Sequence, residues 1–176
     1  MKKNIKQTVK KIGILGGTFD PPHKGHLHIA RDSLKKLKLN KILWVITNKN
    51  PLKKNPYLQL KQRIKLSKKI TKNHNKIFVK YFENKIKSTS TYDLLKYIKK
   101  KNKKSELFFL IGADNLKKLH KWKKWEKIPN LAKIIVFPRD SYSLNRMKFK
   151  KIYKKDILYI KTKKINISSS LIRKFW

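Results

Sequence analysis

The stretch Ile12-Gly13-Ile14-Leu15-Gly16-Gly17-Thr18-Phe19-Asp20-Pro21-Pro22-His23-Lys24-Gly25-His26 changes character twice. It opens as a short apolar run, passes through glycines and prolines, and enters a segment in which Leu27, Ala30, Leu34 and Leu37 fall on one helical face. A strand that turns directly into a helix is the unit from which parallel sheets are assembled. The same alternation continues along the chain. Apolar runs at Lys11 to Leu15, Ile42 to Thr47, Ile77 to Phe82, Leu107 to Ile111, Ile134 to Phe137 and Ile157 to Ile160 read as strands buried on both faces. Helical periodicity covers Gly25 to Leu37, Leu58 to Ile70 and Thr91 to Lys100, and Leu171 to Trp176 starts a short terminal helix. The order predicts an α/β fold: a Rossmann-like, doubly wound, mostly parallel sheet of five to six strands with helices on both faces. Loops are expected at Asn48 to Pro56, Asn84 to Ser90 and Asp140 to Asn145. The first carries two prolines and three lysines, as an active-site flap would. Residues 1–10 read as a basic extension and 11–176 as one domain.

Composition bounds the function. The 176 residues carry 49 Lys+Arg against 9 Asp+Glu, a formal charge of +40. Such a charge suggests a polyanion partner. The basic residues are nearly all lysine, however, with arginine only at 31, 63, 139, 146 and 173. Sequence-specific readers of nucleic acid favour the bidentate fork of arginine, and here lysine is spread over every segment. Codon bias in an AT-rich genome accounts for that spread, so no specific nucleic-acid partner is expected. The absence of cysteine excludes disulfides and thiolate chemistry and fits a cytoplasmic protein. No apolar run approaches the roughly 18 residues of a membrane span.

The first turn is where chemistry concentrates. In open α/β sheets, ligands bind beyond the carboxyl ends of the strands. Gly16 and Gly17 allow phosphate oxygens close to the backbone. Gly25 does so at a helix start, where N–H groups and the helix dipole attract anions. His23 and His26 can each donate an N–H to a phosphate oxygen. The turn lacks a Walker loop's Gly-Lys-Ser/Thr and does not form G-x-G-x-x-G. Zinc at His23, His26 and His28 would lack further ligands.

At the far end, Ile167-Ser168-Ser169-Ser170-Leu171-Ile172-Arg173 offers hydroxyls and a guanidinium for an anion, or an ordinary serine-capped helix. Asp114, after the strand Leu107 to Ile111 and Gly112, can accept from a ribose hydroxyl or cap the next helix. Ser88-Thr89-Ser90-Thr91-Tyr92-Asp93 can be a capping turn or part of a ligand site.

The run from Gly16 to His26 resembles the GGTFDPPHxGH signature of bacterial nicotinate-mononucleotide adenylyltransferases, within the HxGH nucleotidyltransferase superfamily. Ile167 to Arg173 resembles that superfamily's ISSTxIR motif, with Ser170 where threonine is usual. Gly112-Ala113-Asp114-Asn115-Leu116, continuing to Trp122 and Trp125, is similar to the family's GADxLxxLxxWxxW stretch. The turn before Thr91 is similar to its SYTxDTL motif, with Ser90 replacing tyrosine and Leu94 replacing threonine. The resemblance implies transfer of AMP from ATP to nicotinate mononucleotide, giving nicotinate adenine dinucleotide and pyrophosphate in NAD biosynthesis. It implies His23, His26 and Arg173 as catalytic groups. Around ATP it implies Gly16, Gly17, Thr18, Phe19, Gly25, Lys53, Gly112, Asp114, Arg139, Ser168, Ser169 and Ser170. Thr91 and Trp122 would hold the mononucleotide, Trp122 stacking on the pyridine ring, with Trp125 a core anchor. Mg²⁺ would arrive mainly on ATP, without a dedicated protein ligand, and the enzyme would be a monomer or small homo-oligomer. Two alternatives compete: a related adenylyl- or cytidylyltransferase with another phosphomonoester acceptor, and a basic nucleic-acid-binding protein.

Overall fold

The computed structural model describes residues 9–50, 52, 54–137, 157–160, 162 and 167–176. Six strands form one sheet: β1 (Lys11–Gly17), β2 (Lys41–Ile46), β3 (Ile77–Lys80), β4 (Glu106–Gly112), β5 (Lys133–Phe137) and β6 (Ile157–Tyr159). Their spatial order is β3-β2-β1-β4-β5-β6, and every neighbouring pair is parallel. The sheet is therefore wholly parallel rather than mostly so. This is the doubly wound order whose direction reverses between the first and fourth strands, where a crevice opens beyond the carboxyl ends.

The strands alternate between two cores, although their sequences look uniformly apolar. Ile12 and Ile14, Leu43 and Val45, and Phe109 and Ile111 point to one face, where Leu95 and Ile98 cover them. Leu15, Ile42 and Trp44, and Phe108 and Leu110 point to the other, where Ala30, Leu34 and Ile64 cover them. Burial on both faces removes the polar alternation that marks a one-sided sheet.

The helices are α1 (Lys24–Lys36), α2 (Leu60–Thr71), α3 (Glu83–Ile86), α4 (Thr91–Lys101), α5 (Ala113–Lys118) and α6 (Ser169–Arg173), with 3₁₀ turns at Leu119–Lys121 and Trp125–Asn130. The expected Asn84 to Ser90 loop is corrected, since α3 occupies its first part. Four-residue α3 and six-residue α5 are too short for apolar periodicity to reveal. The strand expected to reach Phe82 stops at Lys80. The terminal helix starts at Ser169, earlier than expected, because Ser168 caps it by accepting from Leu171 N at 3.1 Å. The Asp140 to Asn145 loop lies outside the described residues. Among the described residues no helix is long and apolar enough to cross a membrane.

Candidate active site

A cavity of about 1100 Å³ lies at the carboxyl ends of the central strands. Gly16 and Gly17 end β1 in its wall, Gly112 ends β4, and Thr47 follows β2. A Cβ built on Gly16 would meet only Phe109 Cε2, at 4.0 Å, so that residue opens onto cavity space.

Beyond Gly17 the backbone is unusual. Phe19 has φ 50°, in the left-handed region that costs a bulky residue about 1–3 kcal/mol. Burial and stacking offset that cost: the ring is 2% exposed and lies 4.5 Å from Trp44, interplanar angle 28°. Phe19 in turn meets His26 edge-on at 5.0 Å. The Asp20–Pro21 bond is cis.

The two histidines interlock at the start of α1. His23 is the N-cap, and its Nδ1 accepts from Gly25 N at 3.2 Å. His26 Nδ1 accepts from His23 N at 3.3 Å, completing a capping box built from imidazoles. A ring nitrogen that accepts cannot carry the proton of the neutral ring, so both neutral rings have it on Nε2. His26 lines the cavity, while His23, 5% exposed, stands behind it with ring centroids 3.8 Å apart. His26 is thus the imidazole on the cavity wall, with His23 and Gly25 directly behind it at the start of α1. A Cβ on Gly25 would come within 3.0 Å of the His23 ring and 3.1 Å of Ile167 Cγ2, so only glycine fits there without displacement.

The C-terminal segment closes against this turn. Arg173 donates through Nη1 to the Asp20 carbonyl and stands 3.7 Å from the Asp20 carboxylate. Ser169 Oγ donates to Pro21 O at 2.9 Å, and Arg173 Nη2 lies 3.3 Å from Ser170 Oγ. Ser168, Ser169, Ser170 and Arg173 all line the cavity with Gly16, Gly17, Thr18, Phe19 and His26. The motifs from opposite ends of the chain thus share one wall.

Thr91 and Trp122 line the cavity as well. Ser90 caps α4, accepting from Asp93 N at 3.4 Å, so the capping reading holds for that serine. The Asp93 carboxylate accepts from Ser88 Oγ at 2.7 Å and from Lys123 Nζ at 3.0 Å. The Ser88 hydroxyl, then Lys123, hold its pKa below the ordinary carboxylate value against partial burial. This pair ties the turn before Thr91 to the residue after Trp122. Trp122 meets Phe109 edge-on at 6.1 Å. Trp122 and Trp125 both pack on the core. Asp114 lines the cavity from the first turn of α5, whose N-cap is Gly112, so the capping alternative for Asp114 is displaced. Lys53 and Arg139 lie outside the described residues.

Three framing residues were given no role by the sequence reading, although Asp20 stands inside the first motif. Asp20, 6% exposed, accepts from Tyr57 N at 2.7 Å and Leu58 N at 2.8 Å. Glu83 accepts from Thr47 Oγ1 and from Asn48 N, the latter at 3.1 Å. Arg63, 1% exposed, donates to four main-chain carbonyls. Burial lowers its pKa, opposed by Asp20 and Glu83. Their partners are mostly backbone atoms, up to 45 residues away, which no local pattern encodes.

Residues 14–175 match the family described as cytidylyltransferase-like. A relative from Pelagibacter ubique (strain HTCC1062), named "Probable nicotinate-nucleotide adenylyltransferase", is 46% identical over 98% of this chain and 97% of its own. The chain belongs to the cytidylyltransferase-like family, among the nicotinate-nucleotide adenylyltransferases. A relative of the same name from Clostridium novyi (strain NT) is 37% identical over 94% of this chain and 86% of its own. The nicotinic acid mononucleotide adenylyltransferase of Plasmodium falciparum complexed with NaAD superposes with TM-score 0.79 at 27% identity, covering 94% of this chain and 83% of that one. The same enzyme complexed with APC superposes at 0.78.

Proposed function

We propose that this chain transfers the AMP moiety of ATP to nicotinate mononucleotide, forming nicotinate adenine dinucleotide and releasing pyrophosphate. One observation carries the reading. A single cavity is bounded at one part by His26, Arg173 and the glycine turn, and at another by Thr91 and Trp122. The first group suits phosphates and the second an aromatic acid.

The reaction needs little covalent help. The attacking phosphate monoester is largely dianionic at neutral pH, with a second pKa near ~6, so no general base is required. The task is to bring anions together and stabilise charge at the α-phosphorus and the leaving pyrophosphate, which is a matter of positioning and electrostatics. His26 lines that space, and its Nε2–H is the donor left by the Nδ1 bond to His23 N. His23 holds His26 by donating its backbone N–H, and caps the helix whose N-terminus faces the turn. Arg173, braced on Asp20, adds a fixed cation. Lys49, Lys54, Lys87 and Lys121 line the same cavity and supply positive potential around it.

Mg²⁺ would be carried mainly by the triphosphate of ATP. Both Asp20 oxygens accept main-chain N–H groups, and among the described residues no three His, Cys, Asp or Glu converge. Carried in that way, Mg²⁺ would supply charge neutralisation of the phosphate oxygens. The enzyme acts in the cytoplasm as a monomer or small homo-oligomer.

Pyrophosphate release, followed with ATP, Mg²⁺ and a panel of nicotinate mononucleotide, nicotinamide mononucleotide, phosphopantetheine and a polyol phosphate, tests the reading. Release is expected with nicotinate mononucleotide as the preferred acceptor. Preference for phosphopantetheine or the polyol phosphate would transfer the chain to a sister activity, and release with none would end the proposal.

A further inference from the structure

Arg63 sits in the first turn of α2 and is among the largest fully buried side chains of the described residues. Buried arginines ordinarily face carboxylates. This one gives its fork to neutral main-chain oxygens: Nε to Leu58 O at 3.0 Å, Nη1 to Thr18 O and Thr47 O at 2.7 Å each, and Nη2 to Asn48 O at 2.8 Å. The four carbonyls belong to three segments, namely the turn after β1, the end of β2 and the lead into α2. Thr18 and Thr47 both line the cavity. Asp20 grips the opposite edge of the same peptide stretch, since Leu58 gives its N–H to Asp20 and its carbonyl to Arg63. A planar five-donor cation can hold three backbone segments in one plane at once, whereas an ammonium cannot reproduce that fork.

We propose that Arg63 is a positioning residue for nucleotidyl transfer, setting the spacing between the Thr18 turn and the carboxyl end of β2 at which the cavity accepts the triphosphate of ATP. The proposal rests on the reading under Proposed function. Its effect is polarised: none of the bonds of Arg63 reaches Thr91, Trp122 or the Asp93–Lys123 pair, which frame the mononucleotide end.

Arg63→Lys and Arg63→Met are compared with the wild type by titration calorimetry against ATP–Mg²⁺ and against nicotinate mononucleotide separately, with thermal unfolding as the check on folding. Turnover is measured in parallel. The lysine variant keeps the charge and loses the fork, so it stays folded if the methionine variant does not, and it then decides alone. The expected result for folded Arg63→Lys is ATP affinity and turnover each lowered about tenfold or more, as misplacement by a fraction of an ångström allows, with mononucleotide affinity within about twofold of wild type. ATP affinity unchanged, or both substrates weakened alike, overturns the proposal. Should the wild type bind both substrates yet release no pyrophosphate, the activity reading fails while the two affinities still decide the role of Arg63.

Discussion

At the residue scale, the site depends on how few atoms aim one imidazole. His26 is fixed through Nδ1 by the His23 N–H and along its ring edge by Phe19. Replacing it with alanine removes a charge-stabilising donor, which costs about 100-fold or more in turnover by analogy with an oxyanion donor. Steady-state kinetics of His26→Ala should show that loss mainly in kcat, and unchanged kcat would remove His26 from the chemistry. Gly16 makes a separate test. Its Cβ direction meets only Phe109 at 4.0 Å, so Gly16→Ala should unfold at the wild-type temperature while raising KM for ATP several-fold. A lowered melting temperature with KM unchanged would mean that the position serves packing instead. The histidines and glycines were legible in the sequence because the motif is contiguous. The division of labour between His23 and His26 was not, since it depends on which nitrogen faces which N–H. The roles of Arg63, Asp20 and Glu83 were illegible for a related reason: most of their partners are main-chain carbonyls and amides, which every residue carries.

At the element scale, the strands were legible as continuous apolar runs, and their limits shifted by one to two residues. Helices α3 and α5 were not, being shorter than two turns of apolar periodicity. What the elements add is closure. The α6 helix docks on the turn before α1 through Ser169, Arg173 and the Ile167 contact at Gly25. At the other end, Asp93 and Lys123 tie α4 to the segment bearing Trp122. The Asp93 pKa is lowered in the fold, so its stabilising contribution is complete above the ordinary carboxylate pKa and is lost as pH falls through the lowered folded value. The melting-temperature difference between wild type and Asp93→Asn should therefore be constant near neutrality and shrink only at pH values below the ordinary carboxylate range. A difference that varies between pH 6 and 8 would assign the effect elsewhere. Trp122→Ala should raise KM for the mononucleotide and spare ATP, and equal damage to both would make Trp122 a core residue.

At the scale of the whole molecule, the fold puts glycine-terminated strands, a helix start and the C-terminal helix around one cavity at the reversal of strand order. The chain carries a formal charge of +40, and Lys49, Lys54, Lys87 and Lys121 belong to the lining of that cavity. Lysines on its walls attract anionic substrates over roughly a Debye length, about 10 Å at 0.1 M salt. Raising ionic strength should lower kcat/KM with little effect on kcat. The most direct measurement follows the phosphorus atoms themselves, with ATP labelled at the α- or the γ-phosphate and nicotinate mononucleotide as acceptor. Label from the α-position is predicted in the dinucleotide, and label from the γ-position in pyrophosphate, in equal amounts and only when both substrates are present. Recovery of γ-label as inorganic phosphate, or of α-label as free AMP, would contradict the assignment.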